Sequence, residues 1–497
     1  MLWLSSADRW QTPGLELQLR LRPEVVVERA GQDLLVRHLW GVVRLTGVLS
    51  AHWGNVLRLA DDWQGLRQLT PPGATVAAAA TLGQLLWICE ELSFLMQLRV
   101  VAGDTPLLTV QPVSRAARLP DDGTHRPPVT TLSPYAFLHA VDGELILESA
   151  VSDHRIILHD SRTWHRVIEA SCGRRSGATE ADGLVADILA GTGMLLGTER
   201  GADQPLAYAA EFPDLLLHQR SRLGSFDNPF GAEFPYLGVV EPPPPFPGST
   251  ADLIALPVPA TDPVLARDPS LTDVLESRCS LREYSEEPLT LAQVGEFLFR
   301  CARARGEYGP DPNAGLPYVA VDKPVPSGGG MHELELYLVI GNVENLPCGV
   351  YHYLAHRHAL EPMGTSAAQA EAVLAAAQHA SAAAQPPPLL VKITSRFARL
   401  AWKYRAIGYA TTLKNVGVLY QTMYLVATAM GLAPCALGSG DEVAGRSALG
   451  PTAAGELGVG EFMLGRPASP TLRDETLLLR RSQPGWRSHV APDWGRA

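Results

Sequence analysis

The chain has 497 residues, of which 46% are hydrophobic and 19% charged, and its formal net charge is -11. That length exceeds one compact core and predicts two to four domains, and the apolar content predicts a chain that folds with little disorder. The negative charge argues against nucleic acid or an anionic membrane as principal partner.

In chain order, Met1 to Trp10 show no basic region followed by an apolar core and a cleavage site, so no secretory signal is expected and a cytoplasmic location is. Leu15, Leu17, Leu19 and Leu21 alternate with polar residues, the pattern of a half-buried strand, and Val25 to Val27 begins a second. Apolar spacing through Leu82, Leu85, Leu86 and Leu92 predicts a helix over 77–98; Arg99 to Val101 and Leu107 to Val110 would close a hairpin. A similar order returns after Pro127 and Pro128, with strands at Glu144 to Leu147 and Arg155 to Leu158 and helices near 163–171 and 182–189. This repeat of pattern predicts two winged-helix-like units, residues 1–118 and 119–240. Asp214 to Gly224 is an apolar run ending in a basic cluster and reads as a core helix with a capped end. The prolines at 242–245 read as a stiff spacer, in a linker over 241–265 that precedes a larger domain over 266–497.

In that larger domain Val294, Phe297 and Leu298 recur at helical spacing within Thr290 to Ala304. Ala367 to Ala384 reads as an exposed alanine-rich helix that Pro386 to Pro388 ends. Asn415 to Gly440 has no charged residue and is long enough to cross a bilayer, but Asn415, Gln421 and the break from Gly431 to Pro434 favour a buried helix. Cys89, Cys172, Cys279, Cys301, Cys348 and Cys435 have no paired spacing, so neither a zinc site nor a disulfide framework is expected.

Chemistry concentrates at a few places. In Arg278-Cys279-Ser280-Leu281-Arg282 two guanidinium groups and a hydroxyl recur at every second residue, so an extended backbone points all three to one side, where they can meet one anion. In Pro326-Ser327-Gly328-Gly329-Gly330 a proline-led turn and three glycines let the main chain approach a ligand. Phosphate plus a planar ring is the implied guest. Gly438, Ser439 and Gly440 would let backbone amides reach the edge of such a ring. Arg466, with Arg473 beyond a strand-like run, would add positive charge at the phosphate; a plain strand end is the alternative. Tyr404 stands between Lys403 and Arg405, where neighbouring cations would lower a phenol's pKa and that of a buried amine alike. Either Lys403 or Tyr404 would then take a proton; an ordinary helix start with a snorkelling lysine is the alternative.

The order Arg278 to Arg282, Pro326 to Gly330, Gly349-Val350-Tyr351-His352-Tyr353, Lys403-Tyr404 and a glycine-bearing C-terminal segment resembles the SagB-type flavin dehydrogenases of the nitroreductase superfamily, over roughly residues 270–480. The stretch from Asp214 to Gly224 is similar to the one that precedes the catalytic domain in long members. The resemblance implies an α+β protein, a C-terminal nitroreductase-like FMN domain preceded by two small winged-helix-like peptide-clamp domains. It implies oxidation of thiazoline or oxazoline rings in a ribosomally made precursor peptide to thiazoles or oxazoles, with molecular oxygen reoxidising the flavin.

Carried over by motif, Arg278 and Ser280 would hold the FMN phosphate, Arg282 would reach the ring's pyrimidine side, and Pro326, Ser327, Gly328, Gly329 and Gly330 would line the cofactor. Lys403 or Tyr404 would take the azoline Cα proton. A homodimer with FMN at the subunit interface, a leader peptide added as a strand to the N-terminal half and a cyclodehydratase partner are also implied. The chain departs from the family at Lys414, Val418 and Gln421-Thr422, where a glutamate, a histidine and Gln-Asn are frequent, and at Met331-His332-Glu333, where Tyr-Pro is more usual. Substrate-side contacts therefore receive no assignment. The alternatives are an NAD(P)H-dependent flavin reductase, an azoline oxidase acting on a nonribosomal carrier-bound ring, and a non-catalytic scaffold.

Overall fold

Strand β1, Leu15–Leu21, buries Leu17, Leu19 and Leu21 on one face and leaves the residues between them half-buried, as a period of two requires. It opens a computed structural model that describes residues 14–48, 50–69, 76–120, 130–171, 180–197, 210–249 and 252–485. Met1 to Trp10, Pro127, Pro128 and Cys172 lie outside the described residues. The chain divides into two units, Met1–Phe230 and Gly231–Ala497.

In the first unit β2 (Val26–Ala30), β3 (Asp33–His38) and β4 (Gly41–Leu45) form a three-stranded meander. Helix α1 (Ser50–Asp61), strand β5 (Gln64–Gly65), the single turn α2 (Leu66–Leu69) and helix α3 (Val76–Glu91) follow. Strands β6 (Met96–Ala102) and β7 (Thr105–Pro112) make the expected hairpin. The helix expected over 77–98 thus ends at Glu91, because Met96 to Leu98 pair with β1, Met96 opposite Leu21. Then come β8 (Thr130–Leu132), β9 (Ala136–Val141), β10 (Glu144–Ser149), β11 (His154–Leu158), α4 (Ser161–Ser171), α5 (Glu180–Gly191), β12 (Leu195–Gly197) and α6 (Phe212–Arg220).

The main sheet of this unit runs β5-β1-β6-β7-β11-β10-β9, with Val110 of β7 opposite Ile156 of β11. Strands from both expected winged-helix-like units therefore lie in one sheet, over one hydrophobic cluster that extends from Leu17 to Leu195. Helix α6 was expected in the core but buries no residue; its last residue, Arg220, instead reaches the buried carboxylate of Glu148 at 2.5 Å.

The second unit begins with a strap rather than a free spacer. Arg399 donates to the carbonyl of Pro243, Arg396 to those of Pro244 (2.9 Å) and Pro245 (3.2 Å), and the Trp402 indole to that of Val240 (2.7 Å). Strand β13 (Ile254–Ala255), α7 (Thr261–Arg267), α8 (Leu271–Ser277), α9 (Leu291–Ala302), β14 (Gly306–Tyr308) and β15 (Ala320–Asp322) follow. Next are β16 (Leu334–Ile340), β17 (Gly349–Leu354), β18 (Ala359–Pro362), α10 (Ala367–Ser381), β19 (Leu389–Ser395) and α11 (Phe397–Ala401). Helix α12 (Gly408–Ala429), β20 (Ala433–Leu437), α13 (Glu442–Leu449), β21 (Leu457–Gly465) and α14 (Leu472–Arg481) complete it.

The antiparallel sheet β13-β18-β17-β16-β19-β21-β20 is covered on both faces. Leu336, Leu338, Val391, Ile393 and Phe462 meet residues of α9 and α12, while Tyr337, Val339, Leu390 and Met463 meet residues of α10 and α13. Helix α9 starts at a capping box between Thr290 and Gln293. Helix α12 buries Val416, Leu419, Met423 and Ala427, and each large side chain contributes about 1.5–3 kcal/mol. Helix α10, expected as exposed, buries Ala370, Val373, Leu374 and Ala377, since its alanines serve the sheet-facing side as well as the outer one. No helix among the described residues is long and apolar enough to cross a membrane.

Candidate active site

Helix α12 organises the chemistry. The residues on its sheet-packed stripe are flanked by Asn415 on one side and Tyr424 on the other, because nine residues at about 100° each place them on opposite flanks. Each flank gathers one of the motifs found in the sequence.

At the Tyr424 flank, the segment after α8 alternates as expected: Cys279 and Leu281 are buried, Arg278 and Ser280 half-buried and Arg282 exposed. The Ser280 hydroxyl lies 2.7 Å from the Tyr424 hydroxyl, which also accepts the Ala436 N–H at 2.8 Å, and the Arg278 guanidinium sits 5.0 Å over the Tyr424 ring. Burial raises the pKa of the Cys435 thiol, and Arg282 beside it acts in the opposite direction. Among the described residues neither Arg278 nor Arg282 forms an ion pair with a carboxylate, so two guanidinium groups remain for an anionic group, beside the Ser280 hydroxyl that Tyr424 holds.

At the Asn415 flank lies the glycine turn. Gly329 and Gly330 have φ of 62° and 67°, a region costly for other residues. The Asn415 carboxamide accepts the Gly328 N–H at 3.3 Å and donates to Ser327 Oγ at 3.2 Å and to the fully buried Glu333 at 2.9 Å. A Cβ on Gly329 would lie 2.4 Å from Lys403 Nζ and 2.7 Å from the Tyr404 hydroxyl; one on Gly328 would lie 2.6 Å from Thr411 Cγ2. The bare backbone of the turn therefore brings the glycine motif and the Lys403-Tyr404 pair together.

The lysine does not snorkel. Its amine donates to the Tyr318 hydroxyl at 2.6 Å, and that hydroxyl donates to the Gly329 carbonyl at 2.6 Å. Pro326 is exposed at the start of the turn. Just beyond it His332 is buried with φ of 47°, and burial, with Lys323 and Arg399 nearby, lowers its pKa to about 3.

The remaining predicted residues hold other positions. Gly440 lies against Glu461, whose Oε1 would be 2.2 Å from a Cβ there, while a Cβ on Gly438 would meet nothing; Ser439 lies between them. Glu461 forms a buried ion pair with Lys392 at 2.9 Å, and burial raises its pKa against the lowering by Lys392. Arg473 donates to the Thr428 and Leu432 carbonyls at 3.2 and 3.1 Å, closing the C-terminal end of α12. Arg466 pairs with Glu287 at 2.9 Å. Sequence reasoning missed Tyr318, Tyr424 and Glu333; the spacing of Tyr420 and Tyr424, four apart in the uncharged stretch that begins at Asn415, was the one available signal.

Residues 275–464 match the nitroreductase family, and residues 130–227 match the cyanobactin oxidase ThcOx. MJ1384 of Methanocaldococcus jannaschii, named as a nitroreductase, is 32% identical over 169 residues, which make up 34% of this chain and 78% of that protein. The chain belongs to the nitroreductase family. Its second unit is thus a nitroreductase-like oxidoreductase domain of mixed helix and strand. The chain is also similar to the microcin B17-processing protein McbC of Escherichia coli, at 35% identity over 127 residues, 25% of this chain and 44% of McbC. Among solved structures, the E. coli microcin synthetase McbBCD complex with truncated pro-MccB17 aligns at 23% identity and a TM-score of 0.31, covering 42% of this chain and 74% of that one.

Proposed function

We propose that this member of the nitroreductase family is an FMN-dependent dehydrogenase that converts thiazolines or oxazolines in a ribosomally made precursor peptide to thiazoles or oxazoles. The contact of the glycine turn with Lys403 and Tyr404 carries the reading, since a planar group laid against the bare turn has an amine and a phenol beside it. The similarity to McbC, whose name describes processing of microcin B17, and the ThcOx match support a peptide substrate and an oxidation.

Arg278 and Ser280 would hold the FMN phosphate, Arg282 would reach the pyrimidine side of the ring, and Pro326 to Gly330 would line it, with the Gly438 to Gly440 amides at its edge; Arg466, paired with Glu287, and Arg473, bound to the carbonyls that end α12, are engaged elsewhere. Bound FMN supplies the two-electron acceptor that azole formation needs, with dioxygen as terminal acceptor. Lys403 or Tyr404 takes the azoline Cα proton.

The phosphate flank and the ring flank lie on opposite sides of the α12 stripe, so a homodimer in which each copy supplies one flank completes the site. Exposed Tyr409, Leu413 and Val418 on α12 give that second copy an apolar surface to cover. In the first unit, β9 pairs only with β10 among the described strands and exposes Leu138 and Val141, an open edge on which a leader peptide adds as a strand. A cyclodehydratase partner supplies the azolines.

The test is the absorbance of the purified full-length protein, followed anaerobically with a thiazoline-bearing peptide with and without its leader. Bleaching of bound flavin by the leader-bearing peptide, with loss of two hydrogens per ring, is expected. Bleaching by NAD(P)H and not by the azoline would replace this reading with a flavin reductase.

A further inference from the structure

Lys403 is held from three directions. Its amine donates to the Tyr318 hydroxyl at 2.6 Å and lies 5.6 Å from the ring centre of Phe234, 4.8 Å from that of Tyr318 and 5.2 Å from that of Tyr404. Its carbonyl accepts the Phe234 N–H at 3.2 Å, and the next-but-one amide, of Arg405, donates to Glu233 at 2.6 Å. Among the described residues no carboxylate pairs with Lys403. The amine is directed by a hydroxyl and by aromatic faces, which orient a cation without fixing it in an ion pair.

Tyr318 itself has little freedom. It is 1% exposed, its ring is flanked by Trp402 (6.2 Å) and Phe234 (6.3 Å), and its single hydroxyl proton goes to the Gly329 carbonyl, so only lone pairs face Lys403. Burial raises the pKa of this phenol and keeps the proton in place. The chain Lys403 amine to Tyr318 hydroxyl to Gly329 carbonyl thus bolts the proton-handling loop to the glycine turn.

We propose that Tyr318, backed by Phe234, is the positioning residue that aims the Lys403 amine at the substrate face of the site. The amine's placement is independent of the reaction assigned above; that it matters for turnover rests on the azoline reading. Tyr318→Phe removes the hydroxyl and keeps the ring in its apolar setting.

The experiment uses the full-length, flavin-loaded protein, Tyr318→Phe, Lys403→Ala and the double variant. The first readout is the rate at which a water-soluble acetylating reagent labels Lys403, followed by mass spectrometry and normalised to the same variant labelled to completion after denaturation. Released from one hydrogen bond, Lys403 in Tyr318→Phe labels about fivefold faster. A labelling rate within about a factor of two of the parent overturns the proposal. The second readout is azoline turnover. Tyr318→Phe lowers kcat about a hundredfold with KM unchanged, and costs nothing further in the Lys403→Ala background. An equal further loss in that background means that Tyr318 acts by structure alone and overturns the proposal. Faster labelling in a protein whose parent does not oxidise azolines sustains the positioning and discards the reaction. Should Tyr318→Phe not fold, Phe234→Leu, which leaves the hydroxyl and removes the facing ring, is expected to speed labelling; no change would overturn the proposal.

Discussion

Asn415 donates its amide to the buried carboxylate of Glu333 at 2.9 Å while its own carbonyl oxygen holds the Gly328 N–H at 3.3 Å. One side chain on α12 therefore both satisfies a carboxylate with no access to water and sets the glycine turn. Asn415→Leu would leave Glu333 with the Ser327 hydroxyl as its remaining side-chain partner. Unfolding in urea should show a loss of about 2–3 kcal/mol, and the FMN proposed for the site should be released more readily than from the parent.

Two glycines make opposite predictions. Gly329→Ala combines a φ of 62° with a Cβ that collides with Lys403 and Tyr404, so turnover should fall steeply and stability by about 1–2 kcal/mol. Gly438→Ala meets no atom and needs no unusual φ, so its melting temperature should match the parent's. Equal stability of the two variants would contradict the packing of the turn.

His332 gives the second unit an acid limit. Its folded pKa of about 3 lies below the ordinary 6.5, so its contribution to stability is complete above about pH 6.5 and is lost as pH falls toward 3. The slope is about 1.4 kcal/mol per pH unit. His332→Asn removes the titrating ring and suits the positive φ, so chemical denaturation at falling pH should show a shallower decline. A decline as steep as the parent's would assign the acid limit to other groups.

The buried pair of Lys392 and Glu461 should behave asymmetrically. Lys392→Met alone strands a carboxylate in the core and should cost about 3–5 kcal/mol. Adding Glu461→Leu should restore most of that loss, because two apolar side chains need no desolvation offset. Equilibrium denaturation of both variants decides it.

The legible parts of the fold were those with strong local periodicity. Leu15 to Leu21 could only be a half-buried strand, and the Arg278 to Arg282 alternation is carried into the structure residue by residue. Met96 to Leu98 were misread because an apolar run is compatible with a continuing helix until its partner, β1, is known. Helix α10 was misread because alanine marks neither an inner nor an outer face. Of the site, the motifs were visible but their pairing was not: Tyr318 meets Lys403 across 85 positions, a distance at which no local pattern speaks.

The single sheet of the first unit has a bearing on how such proteins can be rearranged. A gene crossover at 118/119 would separate β7 from β11 and leave Val110 and Ile156 on raw strand edges, an invitation to aggregation. A crossover at 230/231 leaves both sheets intact. Exchange of one N-terminal half for another, by evolution or by an engineer, thus has one favoured seam, and the strap from 231 onward travels with the oxidoreductase half.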